Sequence, residues 1–296
     1  MKKERRKIMN IGMLIQGLSD GLLLGSVYAL ISMGLSLIFG MMEIVNFAYG
    51  EFLMMGMYIS YWMNNLWGVD PFFSIPISAV IMFLVGVITH KLIIRRILGR
   101  PMLVQILTTF GISIFLSSLA QFFFSSDYRL ITDKILTGRF EIFGVFISTA
   151  KVATGIVSII TCLFVYWLMT RTEIGKVFQA IAEEGEVTGL FGIDSEKMFA
   201  LAWGISGACA GIAGAALSSY FYVYPLVGSV FCLTIFVAVA LGGFGSVSGA
   251  ILGGIIIGLV QTFSGLLFDP VYKMVSVFGV YFLVLMIKPQ GLFGRF

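Results

Sequence analysis

GSVYALISMGLSLIFGMMEIVNFAYGEFLMMGMY, residues 25–58, is the stretch on which the fold turns. It is apolar almost throughout, yet Glu43, Asn46 and Glu51 lie inside it, and Gly34, Gly40 and Gly50 punctuate it. A spanning helix needs about 20 mostly apolar residues, and residues 11–30 already supply one. What is left at 31–45 is roughly 15 residues, which at about 1.5 Å each barely crosses a hydrocarbon core. The expectation is therefore a second passage that is short, broken or partly re-entrant. Non-helical backbone at membrane depth is tolerated only where it is buried in protein or lines a cavity. The break near residues 40–50 thus points into the interior of a helical bundle.

Outward from that stretch, apolar runs recur at 47–66, 74–94, 101–124, 148–169, 198–220, 226–243, 249–268 and 271–288. With 11–30 and the short 31–45 they make ten passages in an all-α, polytopic membrane bundle forming one domain over residues 1–296. Lys91, Arg95, Arg96, Arg100, the loop 171–197 and the tail after Lys288 are assigned to the cytoplasm, because basic residues gather on that side. The basic start, Lys2, Lys3, Arg5, Arg6 and Lys7, belongs inside by the same rule. Both termini are therefore expected in the cytoplasm. The apolar run after the basic start is too long, and lacks the small-residue site, to be a cleaved signal peptide. The mixed-charge stretch 125–147, with Asp127, Arg129, Asp133, Lys134, Arg139 and Glu141, falls outside.

Composition agrees. The chain is 59% hydrophobic and 11% charged, with a mean hydropathy of +1.02. Soluble domains carry about 25% charged residues, so lipid must serve as a second solvent here. The net charge of +4 is no nucleic-acid signal, because the basic residues sit at the edges of apolar runs. Cys162, Cys209 and Cys232 lie within apolar runs without metal-ligand spacing and read as small packing residues. The lone histidine, His90, reads as an interfacial anchor. No HExxH, GxSxG or GxxxxGK[ST] occurs, and GGFGSVSGA (residues 242–250) fails GxGxxG. The sequence thus offers neither an enzyme site nor an ATP loop, and no cofactor is expected.

Polar groups at membrane depth carry the functional signal, because an ionised side chain there costs about 2.5–3.5 kcal/mol on insertion scales. Candidates for a substrate path are Gln105, Thr108 and Thr109, which share one helix face at i, i+3, i+4, together with Glu43, Asn46 and Glu51. For the turn from Glu43 to Glu51 a special backbone conformation is the favoured role. Rows of small residues four apart, Gly21 and Gly25, Gly207 and Gly211, and Gly245, Gly249 and Gly253, read as close helix–helix contacts in lipid. The hydrophilic loop 171–197 is more than a linker. Ile174, Val177, Phe178 and Ile181 recur at i, i+3, i+4, i+7, which marks an amphipathic helix. Segment 174–193 is expected to be a helical hairpin or bent helix lying along the membrane, turning at Gly185 and Gly192. Glu183, Glu184 and Glu186 flank its apolar side, and Asp194 or Ser195 is placed to cap the next helix.

Three segments together resemble a known family. Residues 25–58 resemble the N-terminal signature of the branched-chain amino acid permeases, the paired LivH and LivM subunits, and NFAYGEF is closest to LivH. GKVFQAIAEEGEVTGLFGID (residues 175–194) resembles that family's cytoplasmic coupling loop. AVALGGFGSVSGAILGG (residues 238–254) resembles its glycine segment. Tyr49 departs from the histidine common there, which bears on the substrate carried and not on the fold. The resemblance implies an ATP-binding-cassette importer in the cell (inner) membrane. Its partners would be ABC ATPase subunits, a second permease of LivM type or a second copy, and an extracytoplasmic substrate-binding protein. It also implies that Gly175, Val177, Phe178, Ala180, Ile181, Glu183, Gly185, Leu190, Gly192 and Asp194 belong to the loop that meets the ATPase. Urea, short amides and sugars are alternative cargoes within the class. A ribose-type permease, an autonomous carrier or channel and a membrane enzyme are the competing readings. The wording of the motifs argues against the first. Secondary carriers usually show coupling ions or proton relays at mid-membrane, and the third lacks a catalytic set.

Overall fold

The computed structural model describes residues 2–132, 135–136, 138–142, 145–188 and 192–294, with backbone alone at 2–11, 142, 145 and 184–188. The chain begins with one unbroken helix, α1, Lys2–Met42. At about 1.5 Å per residue it is roughly 60 Å long. The short passage expected at 31–45 is therefore not a separate element but the second half of α1. Gly34 and Gly40 do not break the helix. They let it touch its neighbours, because a Cβ at Gly34 would strike the Tyr49 hydroxyl and one at Gly40 would meet the Gly245 backbone at 3.0 Å.

After an irregular segment at 43–48 comes α2, Tyr49–Trp67, closed by Gly68 in the left-handed region. Helix α3, Pro71–Thr89, is N-capped by Asp70, whose carboxylate accepts from Phe72 N. A π-helical turn, His90–Ile94, and a one-turn helix α4, Arg95–Ile97, extend it. Next come α5, Met102–Phe124, and a two-stranded antiparallel hairpin, β1 Arg139–Ile142 and β2 Val145–Ser148, with Phe140 opposite Ile147. The helices α6 Thr149–Arg171, α7 Glu173–Thr188, α8 Ser195–Leu217, α9 Val227–Gly242, α10 Val247–Leu267 and α11 Lys273–Ile287 complete the chain. The hairpin and an isolated antiparallel bridge between Arg129 and Val223 are the β-structure among the described residues.

Ten passages are not what the described residues show. Seven helices are long and apolar enough to cross a membrane, Gly12–Met42 among them, and Val227–Gly242 is a shorter apolar helix. Helices α1 and α8 are the buried centre, with 78% of their most apolar windows covered, whereas α5 and α11 have 11% and 6% covered and lie at the periphery. The centre is built on small residues. Gly21, Gly25 and Gly40 of α1 meet Leu259, Ile255 and Gly245, so α1 and α10 run antiparallel. Gly207 and Gly211 of α8 pack on Met82 and Ser78 of α3. Gly249 and Gly253 pack α10 on Gly242 and Ala238 of α9. Gly245 does not share their helix row, since it lies in the preceding turn at φ +78. Lipid offers no hydrophobic drive between helices, so such close approach is what holds them together.

The two ends of the bundle differ. At one end the Gln16 side chain bonds the backbone of Phe146 in the hairpin, and Asp20 pairs with Lys151 at 2.8 Å. At the other end the C-terminal tail bonds the close of α9, Leu292 N to Leu241 O and Phe293 N to Gly242 O. Arg95 pairs with Glu196 at that same end, where α3 finishes and α8 begins. The described start and finish of the chain thus lie at opposite ends of the bundle, and α1 is one continuous helix where two passages were expected.

Candidate functional site

The candidate site is the interruption between α1 and α2. Glu43 closes α1 with φ +54, its amide still donating to Phe39 O at 2.8 Å. Its side chain is exposed, so its part is the backbone turn. Residues 43–48 then make no helix. The start of α2 is fixed by the Tyr49 hydroxyl, which donates to Ser206 O at 3.0 Å. Ser206 Oγ in turn donates to Gly34 O at 2.7 Å. Ser206 is midway along α8, so α2 begins about 16 Å into the bundle. Gly50 sits against the Gly228 backbone, which brings the N-termini of α2 and α9 together.

The non-helical backbone is satisfied from three sides. Asn46 Oδ1 accepts from Ala48 N at 3.0 Å, Thr109 Oγ1 donates to Val45 O at 2.9 Å, and Cys232 Sγ donates to Phe47 O at 3.5 Å. Glu51, 1% exposed, lies where the two N-termini meet. Its Oε1 accepts from Ser113 Oγ at 3.2 Å and Ser229 Oγ at 3.5 Å. Glu51 Oε2 and Asn46 Nδ2 are buried without a hydrogen-bond partner. One acceptor and one donor are therefore left open at a helix start in mid-bundle, where helix N-termini favour negative charge. Unpaired buried polar atoms cost about 1–3 kcal/mol each, which makes this pair a candidate for a ligand contact.

Of the expected path residues, the structure gathers Asn46, Glu51 and Thr109. Gln105 and Thr108 share their helix face but are half-buried and bond nearby backbone, Gln105 to Arg100 O in the turn before α5 at 2.9 Å and Thr108 to Val104 O at 2.7 Å. Ser113, which sequence reasoning missed, had a signal: with Gln105 and Thr109 it makes a polar row four residues apart. Ser229 had none, because its role depends on α9 meeting α2. His90, expected as an interfacial anchor, is wholly buried beside Phe199.

At the far end of the bundle, α7 folds back against the close of α6. Gly175 lies on the carbonyls of Leu168 and Met169, and Gln179 donates to Met169 O at 3.2 Å. Phe178 and Ile181 are buried and Val177 is half-buried, whereas Ile174 is 40% exposed and Ala180 and Glu183 face outward. Gly185 does not turn the chain, because α7 runs through it to Thr188. Gly192 does, at φ +78. Leu190 lies outside the described residues, as do the side chains of Glu184 and Glu186. Asp194 caps α8, accepting from Lys197 N at 3.2 Å, and hydrogen bonds from Lys197 hold its carboxyl below the usual carboxylate range.

The chain matches the family described as branched-chain amino acid transport system / permease component over residues 17–287. It belongs to that family of permeases. The high-affinity branched-chain amino acid transport system permease protein BraD of Pseudomonas aeruginosa is 31% identical, across 95% of this chain and 96% of its own. LivH of Escherichia coli strain K12 and LivH of Salmonella typhimurium, described in the same words, are each 29% identical over the same shares. No solved structure shows a significant match. The permease is a multi-pass membrane protein and a transport subunit, not an enzyme.

Proposed function

We propose that this permease is the membrane-spanning subunit of an ATP-driven importer for branched-chain or related amino acids in the cell (inner) membrane. The observation that carries the reading is the interruption at residues 43–48. Transporters place substrate near mid-membrane at broken helices, where half-helix N-termini meet the ligand's anionic group and unwound backbone lines the route. Here an α-amino acid would find an acceptor for its ammonium in Glu51 Oε2 and a donor for its carboxylate in Asn46 Nδ2.

The end of the bundle bearing Lys91, Arg95, Arg96, Arg100 and α7 faces the cytoplasm in this reading. The outward face of α7, with Ala180 and Glu183, is the contact for a separate ABC ATPase, and Gly192 sets the angle at which α7 returns to α8. A substrate-binding protein delivers cargo at the hairpin end. A second permease, of LivM type or another copy, completes the pore. Proteoliposomes holding the full set should accumulate labelled leucine only with ATP and the binding protein. Equal uptake by the permease alone would overturn the reading in favour of an autonomous carrier.

A further inference from the structure

Directly above Glu51 and Ser113, α2 and α5 part to leave a groove of about 340 Å³. That is within the roughly 300–1,000 Å³ usual for small-molecule sites. Met54, Tyr58 and Trp62 line it from α2, and Leu116, Ala120 and Phe124 from α5. From Met54 to Trp62 it is about 12 Å long. Its walls are apolar, and two donors are buried behind them without partners. These are the Tyr58 hydroxyl, 3% exposed, and the Trp62 indole N–H.

The outer end of the groove carries a cation. Arg129 is pinned by its backbone, which exchanges two hydrogen bonds with Val223 at 2.9 and 2.8 Å. Its guanidinium lies over the rings of Tyr61 and Trp62, 5.4 and 5.3 Å from their centroids, and donates through Nη2 to Phe124 O and Ser125 Oγ. Among the described residues no carboxylate is within ion-pair distance of it. A guanidinium has five donors, so most of its fork is open to an anion.

We propose that this groove is the entry subsite for the transported amino acid. Arg129, seated against Trp62 and Phe124 at the rim, holds its α-carboxylate, and the apolar walls hold its branched side chain. The inference rests on the reading of the chain as an amino acid permease and adds where the side chain is selected. The groove lies between two polar stations, Arg129 against its Trp62 and Phe124 end and Glu51 with Ser113 one turn below Met54 and Leu116. That suits a short solute passing from one polar station to the next, whereas an acyl chain of a phospholipid would need an apolar lower end.

The test uses the complete importer in proteoliposomes with labelled leucine, alanine and phenylalanine. Ala120→Phe fills the groove and should lower leucine uptake about tenfold or more, with a smaller effect on alanine, since one methylene in an apolar pocket is worth about 10–200-fold. Leu116→Ala widens it and should raise the phenylalanine-to-leucine ratio, which decides the matter if Ala120→Phe fails to assemble. Arg129→Gln should lower uptake of all three. Unchanged substrate ratios in assembled Ala120→Phe and Leu116→Ala variants, or undiminished uptake in Arg129→Gln, would overturn the proposal. So would normal uptake by Ala120→Phe with loss of a co-purified phospholipid, which would make the groove a lipid seat. If the wild-type importer moves none of the three, the amino acid reading itself fails and this inference with it.

Discussion

At the scale of single residues, Glu51 decides whether the interruption is a site or only a joint. Its carboxylate gathers two serine hydroxyls from α5 and α9 and keeps one oxygen unpaired. Glu51→Gln preserves the shape and the acceptor toward the serines while replacing the unpaired oxygen with an N–H group that cannot accept from an ammonium. A hydrogen bond contributes about 0.5–1.5 kcal/mol. A loss of about 1.4 kcal/mol would already cost tenfold. The variant should therefore assemble with its ATPase but transport at roughly a tenth of the wild-type rate or less. Normal uptake per assembled complex would reduce Glu51 to a tie between helices. The sequence exposed this residue readily, because a carboxylate in an apolar run is conspicuous. It concealed the meaning of Gly34 and Gly40, which look like breaks in a one-dimensional reading. Only the approach of Tyr49, Cys209 and Gly245 shows that they make room for neighbours.

At the scale of elements, α7 was legible from periodicity, since Phe178 and Ile181 are the positions it buries. The error at Gly185 has a simple cause: a glycine inside a helix costs about 1 kcal/mol relative to alanine, which packing on α6 offsets. At Gly192 the chain does need glycine, because φ is +78 and nothing lies within 4 Å of the vacant Cβ position. A side chain there meets backbone strain of about 1–2 kcal/mol and no clash. Gly192→Val should consequently leave the bundle intact and misdirect only the segment joining α7 to α8. The expected result is normal membrane abundance with ATP hydrolysis no longer stimulated by loaded binding protein. Normal stimulation together with normal uptake would show that α7 is a plain connector.

At the scale of the whole molecule, the sides of the membrane were the least legible feature. Basic residues cluster at the start of the chain, and Lys288 and Arg295 lie near its close, so counting them favours an even number of crossings. The packing of Gln16 on the hairpin and of Leu292 on Leu241 instead sets the termini apart. Reporters fused at the two ends should give opposite sidedness, and a shared side would return α1 to two crossings. The larger claim is that solute moves along the seam of α2 and α5, from Arg129 past Glu51 and Ser113 to Thr109. The most direct measurement places a single cysteine at Ser113 in a permease whose Cys162, Cys209 and Cys232 have been replaced, and follows its labelling by a membrane-impermeant thiol reagent in the complete importer. The account predicts labelling that changes between the ATP-free and the ATP-trapped state and is slowed by leucine with its binding protein. An active variant that never labels in either state would contradict it.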